Sequence, residues 1–218
     1  MTASPARVLL VEDHRMFREW LGTMLMATGR FKVVAETDNG AEAIQLALTH
    51  KPDALLVDLG LRGSGGLELV KSLRSLQILA PILILSMHED ALYAQRAIAA
   101  GANGYISKSE ASSTLFSALD QIIHGNFHLS PAAQTQILHS LASGKRHQGS
   151  PIDSLADREL EVFQLIGKGY NIPKIAELLN LGETTVGTYR ARIKEKLQIR
   201  SAAELYALAA RWLSENQA

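Results

Sequence analysis

From residue 7 the chain alternates short apolar runs with segments whose apolar positions recur at helical spacing. "RVLLVED" (7–13), "KVVAET" (32–37), "ALLVDL" (54–59), "PILILS" (81–86) and "GYISK" (104–108) predict strands. Most lack the polar alternation of a half-exposed sheet, which predicts burial on both faces. "HRMFREWLGTMLMAT", "GAEAIQLALTH", "GLELVKSLRSL", "DALYAQRAIAAG" and "ASSTLFSALDQIIHG" predict the intervening helices. Five such repeats predict a parallel sheet with helices on both faces. A sheet of this kind binds ligands beyond the carboxyl ends of its strands.

The pattern then changes. "HGNFHLSPAAQTQILHSLASG" predicts one more helix, and the polar "KRHQGSPIDS" (145–154) an interdomain linker. Four helical segments follow. "DRELEVFQLIGKG" carries Leu160, Val162, Phe163 and Ile166 on one face, and Asn171 and Pro173 open the next helix. "NLGE" turns into "TTVGTYRARIKEKL", whose Val186, Ile193 and Leu197 share an inward face, and "SAAELYALAARWL" closes the unit. The expected division is 1–125, a connecting helix and linker over 126–154, and a helix-turn-helix unit over 155–218.

Composition narrows the picture modestly. With 47% hydrophobic and 20% charged residues, the 218-residue chain has enough apolar material for folded cores. Lys plus Arg and Asp plus Glu balance at 22 each, so net charge names no partner. Without cysteine, disulfides, thiolate metal sites and a cysteine nucleophile are excluded. The seven histidines include no pair at metal-ligand helical spacing and are read as ordinary. "MTASPARVLL" lacks a signal-peptide core and no apolar run spans a bilayer, so a soluble cytoplasmic protein with no membrane contact is expected.

The chemistry lies at the strand ends. Strand one ends in Glu12 and Asp13 and strand three in Asp58, so three carboxylates are expected at one sheet edge. Like charges this close oppose one another's ionisation unless a cation neutralises them, and Mg²⁺ is the economical choice. Strand four brings the Ser86 hydroxyl and strand five the Lys108 ammonium. A metal, a lysine and a hydroxyl around one carboxylate suit phosphoryl transfer, with Asp58 attacking phosphorus to give an acyl phosphate. Glycines 60, 63, 65 and 66 would let the backbone approach ion and phosphate. In the second unit, Thr184, Thr185, Thr188 and Arg192 are expected to face outward toward a DNA major groove. Arg190, Lys194 and Lys196 flank them for phosphate contacts.

"VLLVEDH", "LLVDLGL", "LILSMHED" and "GANGYISKSE" resemble the receiver domain of bacterial two-component response regulators. "LADRELEVFQLIGKGYNIPKIAELLNLGETTVGTYRARIKEKLQI" is similar to the NarL/FixJ (LuxR-type) helix-turn-helix. The resemblance implies a five-stranded, doubly wound receiver of the flavodoxin-like, CheY-like kind, joined to an all-α DNA-binding domain. It also implies that Asp58 is the phosphoacceptor, and that Asp13 and Asp58 ligate Mg²⁺ with the Gly60 carbonyl and help from Glu12. Ser86 and Lys108 would bind phosphate and Tyr105 would be the coupled aromatic switch. The implied partners are a sensor histidine kinase or small-molecule phosphodonor, double-stranded DNA, and a second copy once phosphorylated. Activation would pull Tyr105 inward and repack the face over residues 87–122.

Departures from the family pattern stand at five positions: Arg62 and Ser109 replace prolines, Gly187 a lysine, and Ala156 and Gly182 capping residues. The proline after the lysine commonly follows a cis bond, which costs a non-proline residue about 3 kcal/mol. The expected function is a phosphorylation-switched transcription regulator; the alternative is a constitutive DNA-binding regulator with an inert receiver. A phosphohydrolase would need an acid/base two residues after the nucleophile, where Gly60 stands, and no G-x-G-x-x-G follows strand one. Slow hydrolysis of its own aspartyl phosphate is the only turnover expected.

Overall fold

The computed structural model describes residues 4–61, 65–87, 91–110, 112–142, 151–179 and 181–216. Arg62 and Gly63, and most of the linker, lie outside these residues. The chain forms two compact units, Met1–Ser143 and Gly144–Ala218.

The first unit runs β1 (Ala6–Val11), α1 (Arg15–Ala27), β2 (Phe31–Thr37), α2 (Gly40–His50), β3 (Ala54–Asp58), α3 (Gly66–Ser75), β4 (Ile82–Ser86), α4 (Ala91–Ala100), β5 (Gly104–Ser107), α5 (Ser112–Ile123) and α6 (Pro131–Ala142). All strand pairs are parallel, in the order β2-β1-β3-β4-β5. Every residue of β3, β4 and β5 is buried, as the unbroken apolar runs predict. Edge strand β2 instead exposes Lys32 and Glu36. On one face Leu21 and Leu25 of α1 and Leu115, Leu119 and Ile122 of α5 pack on Val8, Leu10, Leu56 and Leu85. The chain reverses its direction of winding between the adjacent strands β1 and β3, so their carboxyl ends flank the crevice where doubly wound sheets bind ligands.

The first unit extends beyond residue 125. Tyr105 donates its amide to the His128 carbonyl at 3.0 Å, and His128 donates to Asn103 at 3.1 Å, which covers the otherwise open edge of β5. Helix α6 then packs on α4. Residues 126–142, expected in a separate connector, are therefore folded with the sheet.

The second unit comprises a 3-10 turn (Pro151–Ser154), α7 (Asp157–Gly167), α8 (Ile172–Leu179), α9 (Glu183–Lys196) and α10 (Ala202–Asn216). Leu160, Val162, Phe163 and Ile166 are buried with Ile175, Val186, Ile193, Leu205 and Ala209. Phe163 meets Trp212 edge-on, centroids 5.9 Å apart. Asn171 caps α8, its Oδ1 accepting from the Lys174 amide at 3.0 Å. Ala156 offers α7 no side-chain acceptor, but Glu159 Oε2 accepts from the Ala156 amide at 2.8 Å, half of a capping box. Leu197, expected on the inward face of α9, is its half-buried C-cap. Among the described residues no helix is long and apolar enough to cross a membrane.

Gly187 lies inside α9, and a Cβ built there meets nothing within 4 Å. Gly187→Ala is therefore expected to stabilise the protein by about 0.5–1 kcal/mol by lowering the entropy of the unfolded chain. A rise in the urea midpoint at unchanged slope is the measurement.

Candidate functional site

Strand register brings the predicted groups to one edge. Val11 pairs with Val57, Asp58 with Leu85 and Ser86 with Ser107, so Glu12, Asp58, Ser86 and Lys108 leave four neighbouring strands at the same level. The Lys108 amide donates to the Ser86 carbonyl at 2.7 Å. The Lys108 ammonium lies 2.8 Å from Glu12 Oε2 and 3.0 Å from Asp58 Oδ1, and its side chain is 6% exposed. Glu12 and Asp58 are 0% and 2% exposed, and Asp13 and Ser86 are also buried. Asp58 is held locally by the Gly60 amide, which donates to its Oδ1 at 3.1 Å. Tyr105 pairs with Ile84, two residues below the Ser86–Ser107 pair at this edge. It is already buried, so the expected inward movement has no exposed starting point in this structure.

Among the described residues, three buried carboxylates gather around the Lys108 ammonium, an excess of negative charge at this edge. Burial, and next the charge of Asp58, push the Glu12 carboxyl above its ordinary pKa of 4.5, while Lys108 and a hydrogen bond from His14 oppose the rise. Glu12, Asp13, His14 and Asp58 each offer a ligand atom, all within 4.8 Å of one another. The three carboxylates of this set supply hard oxygen donors with excess negative charge, which fits a divalent cation. His14 belongs to the cluster, with Nδ1 3.0 Å from Asp13 Oδ1. It has no histidine partner at helical spacing to announce it; its position directly after the acidic pair was the available signal. Arg18, also unanticipated, donates to the Glu12 carbonyl from α1.

In the second unit, Thr184, Thr185, Thr188 and Arg192 are exposed on α9, and Arg190 and Lys194 are half-buried. The Thr188 hydroxyl donates to the Thr184 carbonyl at 3.0 Å. Lys196 differs from the rest of the set. Its ammonium lies 2.7 Å from Glu159 Oε2 and 3.2 Å from the Ser154 carbonyl, tying the end of α9 to the start of α7.

Residues 8–120 match the response regulator receiver domain, and residues 153–209 match the bacterial regulatory proteins of the luxR family. The chain is 34% identical to the response regulator GacA of Pseudomonas aeruginosa, over 94% of this chain and 95% of that protein. The chain belongs to the two-component response regulators, with a LuxR-type DNA-binding domain. The response regulator UvrY of Escherichia coli is likewise 34% identical, covering 94% of this chain and 93% of its own. The crystal structure of a LuxR-family two-component response regulator from Aurantimonas covers 64% of this chain and 99% of its own at 34% identity, with a TM-score of 0.59. The relatives support a role in transcription regulation.

Within this response regulator the turn after Lys108 is built without proline. Among the described residues no peptide bond is cis, so Lys108–Ser109 is trans. The Ser107 and Ser109 hydroxyls lie 2.8 Å apart, the Ser109 amide donates to Ser107 Oγ at 3.2 Å, and Glu110 Oε1 accepts from the Ser107 amide at 3.0 Å. Side-chain hydrogen bonds thus fix the loop that carries Lys108.

Proposed function

We propose that this response regulator is switched by phosphorylation of Asp58. The observation that carries the reading is the buried Asp58 carboxylate, 3.0 Å from a buried ammonium, in an acidic cluster with charge left to balance. A carboxylate oxygen of Asp58 bonds to phosphorus as the donor's P–N bond breaks, and the leaving nitrogen takes up a proton. Lys108 moves a donor from Asp58 to the transferring phosphoryl oxygens, and the Ser86 hydroxyl donates to another. Mg²⁺, held by Asp13, Asp58 and the Gly60 carbonyl with help from Glu12, would neutralise carboxylate and phosphoryl charge when bound.

A sensor histidine kinase or a small phosphodonor supplies the phosphoryl group. Gly60, two residues after the nucleophile, offers no general acid, so hydrolysis of the acyl phosphate is slow and no external substrate is turned over. Repacking around Ser86 and Tyr105 spreads to the α4–β5–α5 face, where α6 and the His128 segment must be accommodated. Dimerisation follows, setting two DNA-binding units on half-sites about 34 Å apart. Thr184, Thr185, Thr188 and Arg192 read base edges, and Arg190 and Lys194 bind phosphates. Lys196 contributes only if it leaves Glu159.

Phosphoramidate with Mg²⁺ is expected to load one hydroxylamine-labile phosphate and to raise affinity for promoter DNA, while Asp58→Asn takes up none. Phosphate on the Asp58→Asn variant would overturn the assignment. Equal DNA affinity with and without phosphate would favour the constitutive regulator.

A further inference from the structure

The two aromatic residues of α1 have no part in the reading above, yet one of them, Phe17, stands beside the site. Phe17 and Trp20, three residues apart on one helical face, are stacked with centroids 5.4 Å apart and planes at 26°. The Lys108 ammonium lies 4.9 Å from the centroid of the Phe17 ring. Among the described residues its neighbours include two carboxylate oxygens, Glu12 Oε2 at 2.8 Å and Asp58 Oδ1 at 3.0 Å, and the Phe17 ring.

We propose that Phe17 is a positioning residue for Lys108, with Trp20 holding its ring in place. This inference rests on the reading of Asp58 as phosphoacceptor. During transfer Lys108 must release Asp58 Oδ1 and give that donor to a phosphoryl oxygen. A third carboxylate would compete for the donor, and water would let the flexible lysine stem swing out. A ring face does neither: its quadrupole attracts the cation without accepting a conventional hydrogen bond, so the contact persists from ground state to acyl phosphate. The Phe17 ring lies over the ammonium, in keeping with the low exposure of Lys108.

The test separates the ring's charge from its bulk. A ring-fluorinated phenylalanine at position 17 keeps shape and apolarity while removing the negative face; Phe17→Leu removes the ring; Phe17→Tyr keeps both. Phosphate uptake from phosphoramidate is expected to fall about fivefold in the fluorinated and leucine proteins and to stay near wild type with tyrosine. In lysine-labelled protein the Lys108 Cε protons, shifted by the ring current, should move to ordinary lysine positions in Phe17→Leu. Unfolding midpoints measured alongside show whether each variant is folded. Wild-type uptake rates in both the fluorinated and leucine proteins, with an unmoved Lys108 signal, would overturn the proposal and leave Phe17 as a wall. If the wild-type protein itself takes up no phosphate, the phosphoacceptor reading falls, whereas the Lys108 signal still decides whether the ring holds the ammonium.

Discussion

Lys108→Met is expected to destabilise the metal-free protein by about 3–5 kcal/mol near neutral pH and to abolish measurable phosphate uptake. Methionine fills the volume of the lysine stem but removes the cation that lies within 3.0 Å of both Glu12 and Asp58. Buried charges then lose their partner, which costs far more than the net worth of the pair. The pH dependence follows from Glu12, whose carboxyl stands above its ordinary value of 4.5 even with Lys108 opposing the rise. Between the unfolded and folded pKa values the folded protein binds a proton that the unfolded chain has lost. Stability therefore grows as pH falls toward the unfolded value and is lost as pH rises through the folded one. Removing Lys108 widens that window. Urea midpoints for the variant should rise on acidification from about pH 7 to pH 5, more steeply than for wild type, and millimolar Mg²⁺ should recover part of the loss at neutral pH. A variant as stable as wild type at neutral pH without metal would show that Lys108 does not compensate the cluster.

The carboxylate edge was legible in the sequence because a strand buried on both faces has no polar alternation to confuse its end. Asp58 closes a run of buried residues, and Glu12 and Asp13 close another, so register alone brings them together. Groups that reach the site from helices were not legible in this way. Phe17 and Arg18 arrive from α1, where an aromatic and an arginine at helical spacing look like ordinary packing and solvation. His14 stands alone in the sequence, without the second histidine that marks a metal site on a helix. The true end of the first unit was hidden for a different reason. Segment 126–129 is too short and polar to read as a strand, and its place depends on the unpaired edge of β5, which is a tertiary fact. Lys196 shows the limit of composition: a basic cluster on a helix says nothing of which ammonium has a carboxylate from another helix within reach.

Two of the glycines that follow Asp58, Gly65 and Gly66, carry packing duties at the start of α3. Gly65 holds a left-handed φ of 84° at the N-cap of α3. A Cβ on Gly66 would lie 2.2 Å from the Asp58 carbonyl oxygen and 2.9 Å from Leu59 Cα. Both are backbone atoms of the strand end and cannot step aside as a flexible side chain can. Gly66 also donates its amide to the Leu59 carbonyl at 2.9 Å, which fixes the first turn of α3 against β3. Gly66→Ala must therefore push helix and strand apart, at a cost of about 3 kcal/mol or more. Because the clash falls on the peptide that carries Asp58, phosphate uptake should drop even where the variant remains folded. Gly22→Ala in α1 is the control: its Cβ meets nothing within 4 Å, so stability should be equal or higher. Urea midpoints and uptake rates for the two variants, side by side, are the measurement. If alanine at 66 were as harmless as at 22, the close approach of α3 to the phosphoacceptor strand would not be what holds Asp58 in register with Lys108.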